Sequence, residues 1–116
     1  MPNDMRNEME IELLGETLLL RPTFEGICEM ESVAELGVQG ISTNLVRENA
    51  SIKILAAVIW GGLVGAENKK YTLKQVKDMV VEHGAYELLP QAIMFMHKAM
   101  QGNREQAKKK SAQAKN

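Results

Sequence analysis

Residues 10–31 read EIELLGETLLLRPTFEGICEME, and this stretch decides the fold. From residue 8 to residue 13 polar and apolar side chains alternate strictly, the period of a half-buried strand. Gly15 interrupts the run, and residues 16–20 read as the returning strand of a hairpin. An isolated hairpin is marginal in water, so its Ile11/Leu13 and Leu18/Leu20 faces must lie on helices. Pro22 holds Arg21 extended and suits a helix start, with Thr23 as the N-cap.

Outward from this stretch the chain is helical. Phe24, Ile27, Cys28, Val33 and Ala34 form an apolar stripe on a helix that ends near Gly37. Residues 40–49 read as a loop or a short helix capped by Ser42 or Thr43. Ser51 caps residues 52–64, which are apolar on nearly every side, so this is the central buried helix and its Trp60 is expected in the core. Thr72 caps residues 73–83, with Leu73, Val76, Met79 and Val80 inward, and Gly84 ends that helix. A last helix covers residues 87–101, in which Pro90 fits only if it lies in the first turn. The expected fold is α+β, mostly α: an N-terminal β-hairpin packed on a small bundle of four to five helices.

With 116 residues, 45% of them hydrophobic, the chain is sized for one domain. That domain is expected over 8–102, between a disordered N-terminus (1–7) and a disordered basic tail (103–116). The tail holds Arg104, Lys108, Lys109, Lys110 and Lys115 against Glu105, leaving nine basic and fourteen acidic residues in the body. An acidic body with a basic end is the result. The longest apolar run, residues 54–66, has 13 residues, short of the roughly 20 that span a bilayer. No basic region followed by an apolar run opens the chain. A cytoplasmic protein without membrane contact is expected.

Catalytic patterns are missing from the sequence. There is no GxSxG, P-loop or dinucleotide fingerprint. Gly61, Gly62 and Gly65 sit within an apolar helix, where they favour close packing or a kink. His83 and His97 lie on different helices, and only Glu87 stands near His83, which is not a metal-site pattern. Cys28 is the single cysteine, read as a small core residue. Neither an enzyme nor a cofactor-binding protein is expected. The basic tail could attract nucleic acid, but it lacks aromatic residues for base stacking and the body is acidic, so nucleic acid is not the expected partner.

Two features suit a protein partner. Glu25, Glu29, Glu31 and Glu35 share one short helix without a basic residue among them. They form either a solvated face or a docking face for a basic partner. Met79, Met94, Met96 and Met100 cluster in the last two helices. Methionine usually fills cores, yet Met-rich surfaces also adapt to varied apolar segments, which gives Met94, Met96 and Met100 as candidate contacts.

The order of these signals resembles a known pattern. A hairpin ends in a Leu-Arg-x-Thr-Phe junction (Leu20 to Phe24) and leads to a helix carrying Glu29 and Glu31. An all-apolar helix follows (54–63), then a Thr-x-x-x-Val helix (72–76) and a Gly-initiated final helix (84–100). This resembles the gene-transfer-agent and phage tail family, variously described as tail tube or tail assembly chaperone proteins. The resemblance implies a non-enzymatic protein of phage or prophage tail morphogenesis and brings no catalytic residues. It also implies partners, the tape measure protein and the tail tube protein, with homo-oligomerisation left open. The alternatives are a structural tube or connector subunit of the virion and a small nucleic-acid-binding regulator.

Overall fold

The computed structural model describes residues 6–47 and 51–102. Of the ends expected to be disordered, 1–7 and 103–116, residues 1–5 and 103–116 lie outside the described residues. Strands β1 (Met9–Leu13) and β2 (Glu16–Leu20) pair antiparallel, with Ile11 opposite Leu18 and Leu13 opposite Glu16. Ile11, Leu13, Leu18 and Leu20 are all buried on one face, as the alternation requires. The register leaves a two-residue connection, Leu14-Gly15, with both residues at positive φ (52° and 79°). That geometry matches the right-handed twist of the strands.

Among the described residues five helices follow: α1 (Phe24–Ala34), α2 (Val38–Val46), α3 (Ile52–Gly65), α4 (Leu73–His83) and α5 (Ala85–Gln101). The expected α+β, mostly helical architecture is the one found. Thr23 caps α1 by accepting from the Gly26 N–H at 3.0 Å. Ser51 does the same for α3 through Ile54, at 3.1 Å. Thr72 and Gln75 form a reciprocal capping box at the start of α4.

Helix α3 is the centre of the molecule, packing against α1, α4, α5 and β2. Its glycines set how closely its neighbours approach. A Cβ on Gly65 would lie 1.9 Å from the Arg21 carbonyl oxygen, and one on Gly61 would lie 2.7 Å from the Gly26 carbonyl oxygen. On α1, a Cβ at Gly26 would fall 2.3 Å from the Gly61 oxygen. The α1 and α3 backbones therefore touch, and the Arg21 N–H donates to the Gly62 carbonyl at 3.0 Å, stitching the end of β2 to α3.

The structure departs from the sequence reading at several places, and this crossing sets the rotation of α1 and the position of Trp60. The inward face of α1 is Gly26, Met30 and Ala34, at helical spacing, because glycine admits the closest backbone approach. Cys28 is exposed rather than buried, and Phe24 is 86% exposed. The helix stops at Ala34, not near Gly37, because Glu35 turns left-handed at φ 59°. Residues 38–46 are fully helical. The N-cap of α2 is Gly37, and Ser42 and Thr43 lie inside the helix instead of capping it. Trp60 is half-buried: the α1 crossing runs over Gly61 and Gly65 and leaves the indole on its flank. Finally, α5 begins at Ala85, so Pro90 is its sixth residue and not part of its first turn. A proline there has no N–H for the Tyr86 carbonyl, which leaves that helical hydrogen bond unmade.

Candidate docking surface

A depression lies where the N-terminus of α1, the C-terminal half of α3 and the start of α4 meet. Its volume is about 820 Å³. Trp60 and Val64 of α3 form one wall, Glu25 of α1 the rim, and Glu67, Asn68, Lys69, Tyr71 and Leu73 the opposite side. Two of the five aromatic residues of the chain, Trp60 and Tyr71, line it.

The loop from α3 to α4 is fixed by its own hydrogen bonds. The Glu67 N–H donates to the Val64 carbonyl at 3.0 Å and the Asn68 N–H to the Leu63 carbonyl at 2.9 Å, while Glu67 adopts φ 60°. These bonds satisfy carbonyls that a helix C-terminus leaves open. The Asn68 side chain then accepts from the Lys70 N–H at 2.9 Å. Tyr71 is steered from its far side: its hydroxyl donates to Glu16 at the start of β2. Lys70 Nζ lies 5.3 Å over the Tyr71 ring and 3.6 Å from Glu16 Oε1. Lys70 is thus drawn toward β2, and among the described residues Lys69 is the cation that lines the cleft against Glu25 and Glu67.

The four glutamates of the α1 segment divide by role. Glu25 is an exposed rim residue. Glu29 Oε2 accepts from Trp60 Nε1 at 3.3 Å, which orients the indole across the cleft wall. Glu31 Oε2 accepts from the Val38 N–H at 3.0 Å and so caps α2 in place of the side chain Gly37 lacks. Glu35 pairs with Lys53 Nζ at 2.9 Å. The Lys53 hydrogen bond, followed by its charge, holds the Glu35 carboxyl below the ordinary carboxylate range. Glu25 and Glu29 remain at the cleft, while Glu31 and Glu35 serve the chain's own structure.

The methionines divide as well. Met96 is 1% exposed and belongs to the core with Phe95 and Leu88. Met94 (52%) and Met100 (45%) face solvent on α5. The structure does not gather them with the glutamates: the acids are on α1 and the methionines on α5. Sequence reasoning missed Tyr71 as a cleft residue. The signal for Tyr71 was a tyrosine at the end of the polar connection 68–71, just before the Thr72 cap.

An aromatic wall beside carboxylates takes a chain segment that presents apolar groups and a lysine or arginine. Among the described residues, no group of three His, Cys, Asp or Glu is placed to hold a metal ion. Among those residues, no helix is long and apolar enough to cross a membrane. No curated protein and no solved structure matches the chain. A family model described as phage tail tube protein, GTA-gp10, matches residues 6–102, a span that includes the hairpin, all five helices and the cleft; the chain belongs to that family.

Proposed function

We propose that this phage tail protein acts as a tail assembly chaperone, holding a segment of the tape measure protein in the Trp60 cleft and presenting it to tail tube subunits. On this reading it works in the host cytoplasm while tails assemble and has no catalytic role. The observation that carries the reading is the poverty of pairing strand. Tube subunits join through extended sheets, whereas here the described residues contain one hairpin of two five-residue strands. Its buried face serves the protein's own core, and the Glu12 N–H of β1 already donates to Gln91 Oε1 at 3.0 Å, which blunts that edge.

Co-expression tests it. Soluble yield of a tape measure protein from the same phage should rise when it is made together with this chain, and the two should co-purify. Reversing Glu25→Lys with Glu29→Lys should weaken that co-purification while the fold persists. Unchanged solubility and no co-purification would sink the chaperone reading. The family description favours a second reading, a tube subunit retained in the particle. Mass spectrometry of purified particles separates the two, since a tube subunit is abundant there and a chaperone is absent.

A further inference from the structure

Helix α5 turns one side to the core through Leu88, Ala92, Phe95 and Met96 and leaves the opposite side open. On that open side Tyr86 (94% exposed), Pro90 and Met94 follow one another at intervals of four residues, forming a ridge. Met100, 45% exposed, extends the apolar flank toward the C-terminus of the helix. Charge on the stripe is sparse and ordered: Glu87 lies near the start and Lys98 near the end. Both fall on the same flank of the ridge, eleven residues or about three turns apart.

The geometry points to a second copy of this chain as the occupant, with α5 packed antiparallel on α5 of its partner about a two-fold axis. Glu87 and Lys98 are equally far from the midpoint between Ala92 and Ile93. A two-fold axis through that midpoint sets Glu87 of each copy against Lys98 of the other, twice per dimer. The same operation lays Tyr86 beside Met100 of the other copy. Parallel pairing would oppose Glu87 to Glu87 and Lys98 to Lys98, so the charges select the antiparallel arrangement. The His83 contact uses one carboxylate oxygen, Glu87 Oε2, at 3.3 Å, and so does not consume the acid. A helix of 17 residues is about 25 Å long, which gives the pair about five turns along which to pack. The surface shares no residue with the Trp60 cleft, so the inference stands apart from the chaperone reading.

Sedimentation equilibrium of the full chain at increasing concentration tests the pairing. The unmodified protein should show a monomer–dimer equilibrium. Glu87→Lys alone and Lys98→Glu alone should each weaken it tenfold or more, with the helical circular dichroism unchanged. Mixing the two single variants should restore dimers, because each heterodimer then contains two opposite-charge pairs. The double variant should dimerise by itself. A chain that stays monomeric overturns the inference. So do single variants that dimerise normally, or a mixture that does not recover.

Discussion

The backbone N–H of Leu14, at the tip of the hairpin, donates to Nδ1 of His83, the last residue of α4, at 2.9 Å. A nitrogen that accepts carries no hydrogen, so the ring's hydrogen sits on Nε2, which faces Glu87 Oε2 at 3.3 Å. One imidazole thus joins the hairpin turn to the junction of α4 and α5. His83→Ala should cost about 1 kcal/mol in chemical denaturation and speed amide exchange at Leu14. Exchange at Leu14 as slow as in the unmodified protein would refute this link.

Gly65→Ala and Gly40→Ala should move stability in opposite directions. At Gly65 a Cβ meets the Arg21 carbonyl at 1.9 Å, and that oxygen belongs to backbone that cannot rotate aside. The expected loss is about 3 kcal/mol or more, read as a large fall in melting temperature. At Gly40, inside α2, the nearest atoms are Leu36 side-chain carbons at 3.5 Å, an ordinary contact. There alanine should add about 0.5–1 kcal/mol.

Pro90→Ala should stabilise the chain by about 1–3 kcal/mol, since it restores the N–H that the Tyr86 carbonyl lacks within α5. Thermal melting reads this directly. No gain would mean that α5 bends at Pro90 in a way its neighbours require.

Trp60 should respond to soluble quenchers and emit between the extremes of a buried and a fully hydrated indole, because it is half-exposed with its Nε1–H on Glu29. Glu29→Ala should shift that emission. Trp60→Ala should cost about 1–2 kcal/mol, less than for a fully buried tryptophan. An emission spectrum insensitive to quencher would contradict the open cleft.

The Glu35–Lys53 pair predicts a local titration. Glu35 ionises more readily folded than unfolded, so its contribution to stability is present above the ordinary carboxylate range and is lost as pH falls through its lowered folded value. Lys53→Met should return the Glu35 titration, followed by NMR, to that ordinary range. Both side chains are largely exposed (49% and 77%), so the melting temperature should barely move.

The parts legible in the sequence were those encoded by neighbours along the chain. Thr23, Ser51 and Thr72 announce three helix starts because a cap acts on amides two or three residues away. The alternation through Ile11 and Leu13 gives the buried face of β1 because strand periodicity is local. What escaped was written across the fold. Gly26 looks like a gap in an apolar stripe, yet it is where α1 approaches α3 most closely. Phe24 and Cys28 look like core residues and face solvent because that crossing fixes the rotation of α1. At the candidate site, the acidic residues were visible as a group. Their division into a rim residue, an indole partner, a cap and an ion pair was not, because each role depends on a residue from another element.

The cap that Glu31 supplies to Val38 makes the folding of α2 conditional. Its nine residues, VQGISTNLV, include glycine and several weak helix formers, and its own N-cap offers no side chain. It is held by a carboxylate from α1 at its first turn and by Ile41 and Leu45, buried along a helix that packs on α5. Helix α2 therefore behaves as a latch between the C-terminal end of α1 and α5. It closes only when α1 is wound as far as Glu31, and it opens as a unit when that turn frays. Amide exchange across 38–46 would keep pace with exchange at the end of α1 and run ahead of α3, making this latch the first cooperative segment to release.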